Sequence, residues 1–482
     1  MTIFFSYFCV AAFALAGPLA AAGQPVALQP VNVLLIIVDD LTTTLGCYGN
    51  REVKSPHIDR LAARGVRFDR AYCQYPLCNP SRVSFLSGRR PETSGVYSLA
   101  ISARTALPDA VMLPQFFRQR GYFTGGAGKI FHNAKMSDAA SWDFYEDGEG
   151  EDAQEQAAVK SRRGGGSDGR PSSVVLDGDG SRTRDGLNVR TVLRLLGEKT
   201  AEGRPFFLAA GFHKPHLPWA APKRFFDLYP SGSITVPAEP AMRDVPAIAL
   251  QTELSGFPQP DSRTEAIRGY YACVSFTDDH VGMLLDELDR RDLWKTTVVV
   301  LIGDNWFHLG DHGGLWAKLS AFEQSTRVPM IVAGAGLPAG RVVNAPVELL
   351  DVYPTLVEVS RGVAPAGLEG KSLVELMAGK RPEARRPAAT MVFHYDVASR
   401  SDVLSRTVIT NEWRYTDWDG GREGRELYLR DADAGEYRNR AGDGGLAANV
   451  EAGETFLKSL PAPNPGPANR PRALLPAGET SK

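Results

Sequence analysis

The apolar residues of this chain gather into unbroken runs as often as they alternate with polar ones. Residues 31–38, 205–212 and 296–302 are each an almost continuous stretch of Val, Ile, Leu, Phe and Ala. A strand with one wet face would alternate, so such runs predict strands buried on both faces, as in a parallel sheet. Between the runs the spacing lengthens. Residues 187–199 and 270–288 read as amphipathic helices, the second the longer. Pro56 opens a shorter helical stretch that Gly65 closes, and residues 113–120 run into Gly121 in the same way. Helix and strand in alternation predict an α/β fold, with a mostly parallel central sheet and helices on both faces.

Two regions depart from this rhythm. Residues 146–185 hold long stretches of Gly, Asp, Glu, Arg and Ser with no apolar side chain. They predict a polar surface insertion, mobile in part, that is either a tolerated loop or a rim that helps select substrate. Beyond about residue 385 only short strand candidates remain, at 390–395, 405–410 and 412–417. The expected division is a catalytic domain over 28–385, a small C-terminal subdomain over 386–460, and a disordered Pro-, Asn- and Ala-rich tail over 461–482.

Composition narrows the function classes. The chain has 482 residues, is 43% hydrophobic and carries a formal charge of −2, so it has ample core and no basic excess to suit nucleic acid. Residues 1–22 are apolar and close on Leu19-Ala20-Ala21-Ala22, which reads as a signal peptide even though the first basic side chain is Arg51. The run is short for spanning a bilayer. A secreted or periplasmic protein without a stable membrane anchor is expected. Removing the leader with Cys9 leaves Cys47, Cys73, Cys78 and Cys273, too few for a disulfide scaffold; one bridge or a set of buried thiols fits.

The candidate chemistry begins where two of the apolar runs end. Asp39-Asp40 follow the first, and Asp304-Asn305 follow the third after Gly303. Open α/β sheets bind ligands at the carboxyl ends of their strands. Three carboxylates gathered there would repel one another, whereas a hard divalent cation needs oxygen ligands of this kind. A lone Asp-Asp is more often a turn or a helix cap; two acidic pairs after two buried strands favour the metal.

Residues 76–91 read PLCNPSRVSFLSGRRP, and Cys78-Asn79-Pro80-Ser81-Arg82 with its extension to Pro91 resembles the maturation signature of type I sulfatases. The resemblance implies that a maturation enzyme oxidises Cys78 to formylglycine, an aldehyde. Hydrated, it is a geminal diol: one hydroxyl attacks sulfur, and expelling sulfate through the other restores the aldehyde. Asp39, Asp40, Asp304 and Asn305 match the family's metal ligands, with the modified Cys78 completing the shell and calcium the usual ion. Gly128-Lys129-Ile130-Phe131-His132 resembles the GKxxH element, and Leu309-Gly310-Asp311-His312 with Trp316-Ala317-Lys318 the LG(D/E)H…K element. By this resemblance Arg82 binds the hydrated aldehyde, and Lys129 and Lys318 hold the sulfate. His213 or Lys318 protonates the leaving alcohol, while His132 removes a proton as the aldehyde re-forms. His216, His308 and His312 either line the pocket or hydrogen-bond its walls.

The resemblance spans about residues 30–440 and implies an alkaline-phosphatase-like fold whose C-terminal subdomain is an antiparallel sheet with a helix. His213-Lys214-Pro215-His216 and Trp316-Ala317-Lys318 point to the iduronate-2-sulfatases, although these have His at the position of Asn305. The expected activity is hydrolysis of a sulfate ester on a sulfated sugar, 2-O-sulfated uronate in a polysaccharide or oligosaccharide. The competing expectations are a phosphate- or phosphonate-ester hydrolase of the same superfamily, and a non-catalytic sulfated-glycan binder in which Cys78 stays a thiol.

Overall fold

Strands and helices do alternate along the chain, and the apolar runs lie side by side at the centre of one sheet. The computed structural model describes residues 30–148, 153–157, 173–236, 238–251, 262–380, 386–396 and 401–465. The leader expected at 1–22 and residues 466–482 of the expected tail lie outside them. In chain order the strands are β1 (Asn32–Val38), β2 (Gly65–Tyr72), β3 (Phe123–Gly128), β4 (Phe144–Glu146), β5 (Ser173–Leu176), β6 (Phe206–Phe212), β7 (Trp219–Pro222), β8 (Thr297–Gly303) and β9 (His308–Asp311). There follow β10 (Leu315–Ala317), β11 (Arg327–Gly334), β12 (Arg341–Val343), β13 (Val347–Glu348), β14 (Ala388–Asp396), β15 (Ser401–Ile409), β16 (Trp413–Trp418) and β17 (Gly424–Leu429).

The central sheet runs β12-β2-β11-β8-β1-β6-β3-β4, with β13 also on β2. β1 pairs in parallel with β6 and β8, and only β11 runs antiparallel to its neighbours. The unbroken run in β1 is accounted for by its two dry faces. Leu34, Ile36 and Val38 pack into one core with Val189, Val192 and Leu196 of the helix Arg184–Glu202 and with Leu284 of the helix Arg263–Arg290. Val33, Leu35 and Ile37 pack into the other, with Phe85 of the helix Cys78–Ser87 and Phe117 of the helix Leu113–Gln119. Each such side chain contributes roughly 1.5–3 kcal/mol on burial, so a one-residue register slip in β1 is strongly disfavoured.

β14 to β17 form a second, antiparallel sheet, and the helix Ala447–Ser459 packs on it through Leu457 against Val408, Tyr415 and Leu427. An ion pair and a buried hydrogen bond join this sheet to the larger part: Arg430 to Glu323 at 2.9 Å, and Arg414 to Thr326 Oγ1 at 2.9 Å. Among the described residues of the polar insertion, β5 pairs in parallel with β7, and the side chains of Asp147 and Glu155 are buried. Cations meet both carboxylates, Arg184 at Asp147 and Lys214 at Glu155. Residues 461–465 also differ from the expected disorder. The Asn464 amide donates to the Glu92 carbonyl at 2.7 Å, and the Tyr97 hydroxyl donates to the Asn464 carbonyl at 2.8 Å. All four described cysteines are free thiols.

Candidate active site

The strand ends create the site. Val38 is in register with Phe212 and Gly303, so β1, β6 and β8 stop level and deliver Asp39, His213 and Asp304 to one rim. Asp39, Asp40, Asp304 and Asn305 are fully buried there. Asp40 adopts φ 57°, a region that a non-glycine residue seldom enters. The Tyr270 hydroxyl pins this turn, donating to the Asp40 carbonyl at 2.8 Å while accepting from the Thr42 amide at 2.9 Å. The Asp40 amide in turn donates to Asp304 Oδ1 at 3.1 Å, which ties the two acidic pairs together.

Cys78 begins the buried helix Cys78–Ser87, so the positive end of the helix dipole faces the same rim. Its Sγ lies 4.0 Å from Asp40 Oδ1, 3.7 Å from Asn305 Nδ2 and 3.0 Å from Lys318 Nζ. Burial, reinforced by Asp39, pushes the Cys78 thiol well above its ordinary value. It is therefore a neutral thiol and a poor nucleophile as it stands. The rest of its motif braces the site: Asn79 Nδ2 donates to the Ser98 and Ile101 carbonyls at 2.8 Å, and Ser81 Oγ to the Asp304 carbonyl at 2.5 Å.

Three cations face three carboxylates. Arg82 spreads its guanidinium over Asp304 Oδ2 (2.8 Å), Asp39 Oδ1 (3.3 Å) and the carbonyls of Lys129 and Ile130. Lys129 Nζ pairs with Asp39, and Lys318 Nζ with Asp40 Oδ1 at 2.6 Å. Lys129 reaches the site because its backbone is laid against the end of β6, where a Cβ at Gly211 would overlap it. Burial drives the Asp39 carboxyl up, but Lys129 and the cations around it outweigh that and hold it well below the ordinary range. Asp40 is pushed up to about 7 by burial and by its neighbours Asp39 and Asp304, despite Lys318.

The donor set fits a hard divalent cation. Carboxylate oxygens of Asp39, Asp40 and Asp304 lie within 4.8 Å of one another. Asp40 Oδ2 and Asn305 Oδ1 are buried acceptors with no hydrogen-bond donor among the described residues. Buried acceptors are seldom left this way, and oxygens are what calcium or magnesium requires. Because the three cations already balance the three carboxylates, a divalent ion leaves surplus positive charge, which suits an anionic substrate.

Comparison with known proteins supplies the family. The sulfatase family model matches residues 31–363, more than half of the chain. The chain belongs to the sulfatase family. It is a sulfuric ester hydrolase, and a further model, for the C-terminal region of N-sulphoglucosamine sulphohydrolase, matches residues 310–458. A sulfatase from Formosa agariphila is 33% identical over 88% of this chain and 86% of its own length. Mouse iduronate 2-sulfatase is 34% identical over 71% of each chain. A phosphonate monoester hydrolase of Agrobacterium radiobacter shares the fold, with a TM-score of 0.70 at 21% identity over 89% of this chain and 95% of that one.

In this sulfatase the two histidines after β6 take up different surroundings. His216, not His213, comes to the nucleophile position: a ring nitrogen groups with Asp39 and Cys78, and Nε2 lies 3.8 Å from Asp40 Oδ2. Its Nδ1 sits 2.7 Å from the Leu217 carbonyl, an acceptor only, so Nδ1 carries the proton and Nε2 faces the acidic cluster. His213 is held instead by Asp185, 3.1 Å from Nδ1, and by Asp147, 3.8 Å from Nε2. At His132 burial and then the charge of Lys129 depress the ring to about 3, so it is a neutral imidazole. His308 and His312 hydrogen-bond the walls: both turn Nδ1 to Asp311, and His308 Nε2 meets Ser320 Oγ at 2.6 Å. Asp147 and Asp185 were not legible in the sequence, because each sits in a polar stretch with no motif to single it out.

Proposed function

We propose that this sulfatase removes the sulfate ester of a sulfated sugar, of the 2-O-sulfated uronate class, using formylglycine made from Cys78 by a maturation enzyme. The observation that carries the reading is the placement of Cys78: at a helix N-terminus, beside an oxygen-lined cation site, with Lys318 Nζ 3.0 Å from its sulfur. A neutral buried thiol has little chemistry to offer there, whereas a hydrated aldehyde would supply an oxygen nucleophile at the same atom position. A calcium ion held by Asp39, Asp40, Asp304 and Asn305 would supply Lewis-acid polarisation of a sulfate oxygen and acidify the attacking hydroxyl.

The chain's own side chains do the remainder. Lys129 and Lys318 hold the non-bridging oxygens, which stabilises charge where it accumulates. With both ring nitrogens protonated, His216 gives its Nε2 proton to the leaving alcohol and keeps the one on Nδ1; sugar alcohols need that proton because they are poor leaving groups. The neutral His132 accepts the proton when sulfate is released. Arg82 keeps Asp39 and Asp304 in place and stands beside the nucleophile. The sugar class rests on the iduronate 2-sulfatase relatives and on the resemblance of the His213-Lys214-Pro215-His216 run to that subgroup. Action outside the cytoplasm, secreted or periplasmic, belongs to the same proposal; among the described residues no helix is long and apolar enough to cross a membrane.

The test combines intact mass with turnover. The matured protein should be lighter than its cysteine form by the exchange of H₂S for O at residue 78. It should release sulfate from 2-O-sulfated uronate disaccharides faster than from 6-O- or N-sulfated glucosamine. An unmodified Cys78 in a fully active preparation refutes the nucleophile; equal rates across the panel refute the substrate class.

A further inference from the structure

The turn that carries His216 is braced by a carboxylate from outside the motif. Asp185 lies in the first turn of the helix Arg184–Glu202, yet it does not cap that helix, since Thr183 Oγ1 accepts the Gly186 amide at 3.1 Å. The Asp185 side chain crosses instead to the end of β6. There it accepts the backbone amide of His213 at 2.8 and 3.0 Å, that of Lys214 at 2.9 Å, and His213 Nδ1 at 3.1 Å. A buried carboxylate is stable only when donors surround it in this way. The consequence falls on the next residues. The His216 amide donates to the His213 carbonyl at 2.9 Å, closing a turn whose starting point is the backbone that Asp185 holds.

The polar insertion reinforces the same turn. Arg184, adjacent to Asp185, pairs with Asp147 through Nε and Nη2, both at 3.1 Å, and Asp147 stands 3.8 Å from His213 Nε2. Glu155 Oε2 accepts the Arg184 amide at 3.0 Å, and its other oxygen lies 3.5 Å from Lys214 Nζ. Three carboxylates thus grip the two residues with which the His216 turn begins.

We propose that Asp185 is a positioning residue for His216, fixing through the His213 and Lys214 amides the turn that presents the imidazole to residue 78. This rests on the reading of His216 as proton donor. It also assigns the described insertion residues a share in catalysis, by support rather than by contact with substrate.

Asp185→Asn, His216→Ala and the double variant are compared on a sugar sulfate and on 4-nitrophenyl sulfate, whose leaving group departs without a proton. Bound metal and the mass of residue 78 are measured in each. Misplacing a proton donor by about an ångström costs on the order of 10²-fold. Asp185→Asn should therefore lose roughly 10²-fold in kcat/KM on the sugar sulfate and under about tenfold on the aryl sulfate. The double variant should fall no further than His216→Ala alone, as expected of residues acting through one group. Additive losses, or equal losses on both substrates for Asp185→Asn, overturn the inference. If His216→Ala itself loses equally on both, the reading of His216 as proton donor fails instead. Should Asp185→Asn not fold, Asp185→Glu decides: it must show the substrate-selective loss, and an even loss assigns Asp185 to the scaffold.

Discussion

Arg82→Gln isolates what the guanidinium does for the buried acidic cluster. Arg82 is inaccessible to solvent, and its nitrogens reach two carboxylates and two carbonyl oxygens. A glutamine amide can replace at most two of those contacts and none of the charge. Breaking a buried ion pair by removing one partner costs about 3–5 kcal/mol, most of it the penalty of the stranded charge. Here Asp304 is the stranded group, since Asp39 keeps Lys129. The expected loss is therefore about 3–5 kcal/mol by urea unfolding in the presence of a chelator, which removes any contribution from bound metal. Adding Asp304→Asn should return part of that loss, because the uncompensated carboxylate is then gone. A loss below about 1 kcal/mol for Arg82→Gln, or no recovery in the pair, would show that the guanidinium does not hold the carboxylates in place.

Asp39→Ala, Asp40→Ala and Asp304→Ala should each lose bound metal together with sulfate-ester hydrolysis, while Asn305→Ala, which removes a neutral oxygen, should keep part of both; elemental analysis after gel filtration checks this. Cys78→Ser should abolish turnover where the maturation enzyme acts only on cysteine, and near-normal activity would contradict the formylglycine mechanism. His394 is buried edge-on to Trp418 in the C-terminal sheet, and burial depresses it to about 3. With the folded value below the unfolded one near 6.5, the neutral ring binds no proton as pH falls, whereas the unfolded chain does. His394 should contribute a decline of roughly 1.4 kcal/mol per unit once pH drops below about 6.5, beside that of the equally depressed His132, and His394→Phe should remove its share of the slope.

Much of the fold was legible because burial on two faces leaves a mark that needs no partner to be read. The runs at 31–38, 205–212 and 296–302 became β1, β6 and β8 at the centre of the sheet, within one or two residues of the expected limits. Asp39, Asp40, Asp304 and Asn305 were legible for the same reason: a buried strand has one carboxyl end, and the residues just past that end must lie on the rim. Cys78, Lys129 and Lys318 were found through motif resemblance, and the structure gathers all of them around one point.

Histidine choice could not be read this way. His213 is the residue next in line after β6, which is why it looked the better acid, but position along the chain does not say where a turn points its side chain. The Asp185 carboxylate captures the first histidine, and the turn closed by the His216 amide brings the second to Asp40 and Cys78. Asp185 comes from a helix 28 residues upstream, and Asp147 from a stretch whose composition suggested a surface loop or a substrate-selecting rim. Local periodicity fixes which face of an element is dry. It cannot report which distant carboxylate will meet a given imidazole, because that pairing exists only once the sheet has brought the ends of its strands together.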